Sequence, residues 1–442
     1  MKKFSFKGGI HPDDNKKTTN SKPISSISAP QFMYYPLNQH IGAPLKPLVK
    51  IGDAVKMHQK IADSDAYLCA PLHSSVSGYV IDIGMYPHPS GIKTETIVIE
   101  NDGCDSPAPP LNTKSLDELS SEEIIKIVRE AGIVGMGGAS FPTHVKLSPP
   151  SDKKIDYVIV NGAECEPYIT SDHRVMLESP LDVLFGLKAV MKVFSLNKAY
   201  IAVEDNKLDA IKLLKENAAK FNGIDIITLK KKYPQGSEKH LIYSVTKRRV
   251  PSGKLPLDVG CVVLNIDTIV SITQAIKDGI PLIRRIVTVA GSSINTPSNY
   301  SVRLGTPFDE IITASGGMKE DCAKIIMGGP MMGIALESVN FSVLKNTSAL
   351  LFFNNIEAHL SEESPCIRCA KCVSVCPMNL LPLNLYNYSI RKDTEKCIDF
   401  NILDCIECGS CSYVCPAKRH IVQAIRTGKI LVKREKEKSN ER

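Results

Sequence analysis

The sequence predicts a multidomain α/β protein, and three observations predict it. Short alternating strands broken by turns fill residues 31–104. From 119 to 280, apolar strand-like runs take turns with amphipathic helical ones. Near the C-terminal end eight cysteines recur in two quartets of identical spacing. At about 100–200 residues per domain, a chain of 442 residues has room for several such parts.

Composition narrows the class. A hydrophobic content of 43% with 23% charged residues describes an ordinary globular protein. No apolar run approaches the roughly 18 residues of a membrane-spanning helix. The opening "MKKFSFKGGIHPDD" is basic but has no apolar stretch behind it, unlike a secretory signal. The expectation is a cytoplasmic protein that meets a membrane only through partners. The net charge of +7 carries little weight, because Lys230–Lys232 and Lys247–Arg249 lack interleaved aromatics and the chain has no Trp. These clusters are expected to be solvated surface, with no nucleic acid bound.

Residues 1–30 are polar and rich in Lys, Asn and Ser, which predicts a loosely held arm. Residues 31–104 hold "LVKIGDAVKMHQKIAD" and "APLHSSVSGYVIDIG", where Gly-Asp and Ser-Gly turns separate short strands. That cadence is of a biotinyl- or lipoyl-type barrel-sandwich hybrid. Carrier versions present a lysine on a hairpin tip, and "SDAYLC" at 64–69 has none, so the sandwich is expected to be structural. Pro, Asp and Ser concentrate in a linker over 102–118.

The next domain, 119–280, opens on "SSEEIIKIVREAG", where Ser120 and Glu123 suit a capping box and Gly132 a stop. Then comes "GMGGASFPTHVKL", residues 135–147. Gly135, Gly137 and Gly138 allow backbone to approach a ligand closely, but Ser140 stands where a dinucleotide fingerprint has its third glycine. Phe141 and Pro142 follow, a flat apolar step suited to stacked rings, and then Lys146. "IDYVIV" is a buried strand ending in "NGAECEPYIT". Asn161, Glu164 and Glu166 thus lie past the carboxyl end of a strand, where open α/β sheets bind ligands; helix capping is the plainer alternative. Strands and helices keep alternating to about 280, which implies a mainly parallel sheet covered on both faces. Residues 284–352 suggest a small mixed domain whose "GGPMMG" glycines serve turns. Residues 360–430 are helical around the cysteines, and the charged tail 431–442 is expected to fray.

"CIRCAKCVSVCP" sets Cys366, Cys369, Cys372 and Cys376 in C-x2-C-x2-C-x3-C-P, and "CIECGSCSYVCP" repeats this at Cys405, Cys408, Cys411 and Cys415. Structural zinc sites use paired C-x2-C knuckles instead. In two-cluster ferredoxins the fourth cysteine of each run ligates the other cluster. Cys366, Cys369, Cys372 and Cys415 should therefore hold one [4Fe-4S] cluster, and Cys405, Cys408, Cys411 and Cys376 the other. Cys397, between the runs, is expected to be a plain buried thiol.

"GMGGASFPTHVK" and "NGAECEP" resemble loops of the flavin- and NADH-binding subunit of respiratory complex I and of related hydrogenase subunits. Over nearly its full length the chain more closely resembles the C-subunit family of Rnf (Rsx) electron transport complexes. The resemblance implies, in order, the sandwich, a Rossmann-like FMN-binding domain, a soluble-ligand-binding β-grasp domain and a ferredoxin-like module with two clusters. It implies non-covalent FMN held by Gly135, Gly137, Gly138, Lys146, Asn161 and Glu164. NADH would stack on Phe141 and offer hydroxyls to Glu166. A second flavin loop falls on "QGSEK" with Gly236 and Glu238, where Ser237 replaces an acid; in "VLNIDT" Asn265 matches and Leu264 does not. The implied activity is electron transfer between NAD(H), FMN and the two clusters. The implied setting is the cytoplasmic face of a membrane-bound complex, with membrane subunits that move ions and a ferredoxin-like subunit as partners. Two rivals stay open: a diaphorase-type subunit of a soluble hydrogenase or formate dehydrogenase, and a ferredoxin-like adaptor without flavin.

Overall fold

Four strands, Tyr157–Gly162, Ala199–Glu204, Ile224–Leu229 and Cys261–Asn265, form the sheet that positions the site in a computed structural model describing residues 3 to 440. All pair in parallel, in the order Ile224, Ala199, Tyr157, Cys261 when each strand is named by its first residue. Near-continuous β-branched runs such as "YVIVNG" suit strands buried on both faces. On one face lie Ile124, Leu184, Leu187, Leu214 and Ile269 of four helices. On the other, Leu241 and Ile242 of the helix Glu238–Thr246 pack on Ile159, Ala202 and Val263. The chain leaves the Tyr157 strand to one side and later returns to the other, so a crevice opens at its carboxyl end. There Asn161 and Asn265 sit side by side in register.

The helix Ser121–Glu130 that precedes the glycine loop begins with the capping box of Ser120 and Glu123. Residues 31–104 form the sandwich, a four-stranded and a three-stranded sheet closing on Tyr35, Ile61, Leu72 and Ile97. Beyond the parallel domain, a six-stranded mixed sheet centred on Arg284–Ala290 and Ala349–Asn354 carries the helix Phe308–Ala314. The cysteine module is short helices packed against a long one, Ile421–Asn440, with Leu385, Cys397 and Ile425 in its core.

Two expectations are corrected. The N-terminal arm is not loose over its described residues. Phe4 N–H donates to Thr228 O (3.0 Å), and Ile10 and Tyr233 exchange both backbone hydrogen bonds. Ile24–Ser26 then adds a parallel strand beside Ser298–Arg303. The physical reason is an open edge: Ile224–Leu229 ends the parallel sheet, and an exposed edge is a pairing site that folds tend to cover. The basic clusters stay at the surface as expected, with Lys230, Lys247 and Arg249 exposed, and they border the same seam. Lys231 pairs with Asp14 at 2.8 Å, and the Lys232 and Lys247 ammonium groups lie over the rings of Phe6 and Phe4. The second correction concerns the tail, which continues as helix to Asn440; its last two residues lie outside the described ones. Val432 is buried there, and the Lys- and Glu-rich sequence is made of good helix formers.

Candidate functional site

Two cavities sit in the cysteine module. One is lined by Cys366, Cys369, Cys372 and Cys415. The other is lined by Cys376, Cys405, Cys408 and Cys411. Each thus gathers three cysteines of one run and the last of the other. The local backbone explains how. Arg368 and Ala370 in the first run, and Glu407 and Gly409 in the second, all take left-handed φ between +55° and +76°. Such residues curl the chain so that three successive thiols turn inward. In both runs the amide two residues on from the first cysteine faces its sulfur, at 3.4 Å from Arg368 N to Cys366 Sγ and from Glu407 N to Cys405 Sγ. Among the described residues no three His, Cys, Asp or Glu converge as one metal ion requires. Burial pushes the Cys405 thiol up to about 11 and Cys411 up to about 12, so iron must displace protons to bind there. A donor set of four thiols lining each cavity fits an iron–sulfur cubane. Cys397 is buried and near Ser389.

The second cavity abuts the α/β domain. Tyr233 Oη donates to the carbonyl of Cys408 (2.8 Å), His240 Nε2 lies 3.0 Å from Pro377 O, and Gly9 N–H donates to Val375 O (2.8 Å).

The glycine loop is pinched shut by Gly135 N–H donating to Phe141 O (2.8 Å) and anchored by Met136 N–H donating to Thr268 Oγ1 (3.0 Å). A Cβ on Gly137 would stand 3.0 Å from Asn265 Nδ2, whereas one on Gly138 would meet nothing within 4 Å. Ser140, left-handed at φ +53°, has a buried hydroxyl with no partner. Phe141 is half-buried beside it. An open glycine face and an orphaned hydroxyl in one loop fit a bound polar ring or phosphate group.

Several expected residues meet at this loop. Lys146 Nζ pairs with Glu238 at 2.7 Å and donates to Val263 O at 3.1 Å. Asn161 Nδ2 donates to Gly236 O at 2.8 Å. Asn265 caps the helix Ile266–Lys277 and donates to Asp172 Oδ2 at 2.7 Å. Glu164, at φ +44°, accepts from Asp172 N–H at 2.7 Å and lies 3.6 Å from Lys16 Nζ. Glu166 faces elsewhere: its carboxylate accepts from Met331 N–H at 3.0 Å and lies 3.4 Å from Tyr233 Oη. Burial pushes it up to about 7. The "GGPMMG" turn therefore packs on Glu166, and a Cβ on Gly329 would collide with it at 2.1 Å.

Sequence reasoning missed Lys16, Asp172 and Arg285. Lys16 and Glu164 are both nearly inaccessible, and burial lowers the Lys16 ammonium from its usual range. Lys16→Met should strand the Glu164 carboxylate and cost about 3–5 kcal/mol; chemical denaturation of the flavin-free protein measures it, and an unchanged midpoint would refute the pairing. Burial, then the Glu164 and Asp267 carboxylates, push Asp172 up to about 8. Between an unfolded value of about 3.9 and that folded value, the folded state holds a proton the unfolded chain lacks, so stability falls as pH rises through this window. Asp172→Asn should flatten the fall in the thermal midpoint between pH 5 and 8; an unaltered slope counts against it. Arg285 meets Asp267 at 2.5 Å beneath the loop.

Comparison with known proteins matches this arrangement part by part. Four family models fall in chain order: the RnfC barrel-sandwich hybrid domain over residues 4–104, the Nuo51 FMN-binding domain over 128–274, the SLBB domain over 286–335 and a 4Fe-4S dicluster domain over 365–419. The C subunit of the proton-translocating ferredoxin:NAD(+) oxidoreductase complex of Clostridium ljungdahlii is 48% identical, across 96% of this chain and 93% of that one. The C subunit of the Na(+)-translocating complex of Acetobacterium woodii is 44% identical over the full length of both. The chain belongs to this C-subunit family. It is thus an oxidoreductase subunit of a multi-subunit complex, with an FMN-binding domain and a domain for two [4Fe-4S] clusters. A further relative, the C subunit of the ion-translocating oxidoreductase complex of Rhodobacter capsulatus, is 39% identical over 86% of this chain and 73% of its own. An NAD+-reducing [NiFe]-hydrogenase in the air-oxidized state shares the fold, with a TM-score of 0.50 at 18% identity over 64% of this chain and 57% of that one. The sandwich, FMN, β-grasp and two-cluster parts expected from the sequence are all present in the expected order.

Proposed function

We propose that the chain carries electrons between NAD(H) and a redox partner by way of FMN and two [4Fe-4S] clusters. It does so as a peripheral subunit on the cytoplasmic face of the membrane, where membrane subunits couple the flow to ion movement and a ferredoxin-like subunit exchanges the electrons. FMN supplies the chemistry of taking a hydride and releasing electrons singly. The protein's part is to position. The Gly135–Gly138 loop would hold the flavin, with Ser140 Oγ as a free partner. Asn161 and Glu164 would hold the edge of the ring, and Lys146, paired with Glu238, would offer an ammonium. Asn265 stands against Gly137 of the loop and holds Asp172. Phe141 is the step on which nicotinamide stacks, while Glu166 reaches a ribose only by releasing Met331. Cys366, Cys369, Cys372 and Cys415 hold one cluster, and Cys376, Cys405, Cys408 and Cys411 the other.

The observation that carries this reading is the Tyr233–Cys408 contact, since Tyr233 precedes the Gly236–Glu238 loop by only a few residues. Nucleotide crevice and second cavity are thereby parts of one packed unit. The membrane setting is supported by family membership, and among the described residues no helix is long and apolar enough to cross a bilayer. Anaerobic purification with iron, sulfide and flavin assayed on one sample tests the proposal. About eight irons and acid-released FMN near one per chain are expected. Full iron without flavin would leave only an adaptor, and a zinc-loaded module without sulfide would overturn the cluster assignment.

A further inference from the structure

The two cysteine runs share one backbone but differ in their surroundings. Ile406, after the first cysteine of the second run, is half-buried with Ile10, Tyr233, Met331 and Cys408, so the chain's own arm, α/β domain and Met331 turn cover that cavity. Its counterpart Ile367 is 69% exposed, and Cys366 and Cys369 beside it are exposed as well. The first cavity therefore lacks the cover that the second has.

Charge differs in the same way. Around the first cavity stand Arg368 and Lys371, and Lys418 follows its fourth cysteine, Cys415. All three are exposed and none is ion-paired among the described residues. The matching positions around the second cavity hold Glu407, Ser410 and Asn379. Glu407 is neutralised by Arg426 and Lys429. Other charges near the first cavity do not cancel the three. Glu363 is engaged by Arg419 at 3.7 Å and His420 at 3.9 Å, which leaves Glu362 as the unpaired acid of that segment among the described residues.

We propose that the surface of Ile367, Arg368, Lys371 and Lys418 is the docking face for the electron partner, a small one-electron iron–sulfur carrier with an acidic rim around its own cluster. The inference rests on the proposed function, deepening it by fixing the order of sites: the cavity of Cys408 faces the flavin and the cavity of Cys366 faces the partner. One electron crosses per encounter; one cluster is oxidised, the other reduced, and no proton or bond moves. A thin layer of thiol-bearing backbone separates the cavity from solvent here, which suits a short transfer. Opposite charges around the two patches raise the encounter rate at low ionic strength and are screened as salt rises.

The test uses the full, cofactor-loaded chain and an acidic bacterial two-cluster ferredoxin as probe. Arg368→Glu, Lys371→Glu and Lys418→Glu are combined; Lys50→Glu with Lys56→Glu, exposed on the distant sandwich, is the control. Affinity for the ferredoxin and the stopped-flow rate of its reduction are measured in 50 and 300 mM NaCl. The triple variant should lose at least tenfold in both at low salt and little at high salt, while the control stays within twofold. Iron content and the EPR spectrum after NADH reduction should match the parent. If NADH fails to reduce even the parent's clusters, the proposed function falls. If it reduces them but the triple variant binds and transfers like the parent, or the control loses equally, only the docking face falls. Loss of binding to vesicles containing phosphatidylglycerol, with ferredoxin affinity unchanged, would reassign the patch to lipid. Salt-sensitive self-association lost in the triple variant, again with ferredoxin affinity unchanged, would reassign it to a second copy.

Discussion

Cys415→Ser should destroy the cluster of Cys366, Cys369 and Cys372, although residue 415 lies next to the other triad in sequence. The four thiols line one cavity, and Cys376, not Cys415, completes the other. Serine is a poor ligand for iron, so the affected site should empty or keep three irons, taking total iron from about eight toward about four to seven. Cys366→Ser should remove the same EPR signal, and Cys405→Ser the other one. NADH should still reduce the flavin in all three variants, because hydride transfer needs no cluster, while reduction of a protein acceptor should slow at least a hundredfold in Cys415→Ser. If its spectrum instead matches that of Cys405→Ser, the fourth ligands are not exchanged.

The gathering of three thiols of one run with the last thiol of the other around one cavity follows from the spacing, because three thiols in one curled turn can face only one point and the fourth, beyond a short helix, points away. The alternation of strand and helix was legible for the same kind of reason: "IDYVIV" and "CVVLNI" are too apolar for any place but a doubly covered sheet. What escaped were contacts made across long sequence separations. Nothing in "DDNKKTT" tells that Lys16 will be drawn under Glu164, 148 residues away, and nothing in the arm's polarity tells that it covers the edge strand at Leu229. The fate of Glu166 was equally hidden. Its position past a strand end pointed to a ligand, whereas Met331, in a turn that read as mere punctuation, occupies the carboxylate.

Gly137→Leu should empty the flavin site while leaving the clusters intact. A Cβ there already stands 3.0 Å from Asn265 Nδ2 and 3.3 Å from Asn265 Cβ, so the first added atom presses on the residue that caps the helix Ile266–Lys277. The remaining atoms of leucine add further bulk at this point of the loop. Displacing the cap costs about 1 kcal/mol, too little to unfold a domain with so large a core, but the side chain takes the volume a ring would use. Flavin per chain should fall at least tenfold, equivalent to about 1.4 kcal/mol or more of binding, with iron near eight per chain retained. Gly138→Ala is the companion variant. Its added methyl meets no protein atom within 4 Å, so the flavin-free protein should unfold at the parent's temperature, and any loss of flavin reports direct contact with the cofactor. Full occupancy in Gly137→Leu would place the flavin somewhere other than this loop. Loss of both flavin and iron would mean that the substitution had unfolded the chain, and the flavin assignment would then rest on Gly138→Ala alone, whose unchanged flavin affinity would sink it.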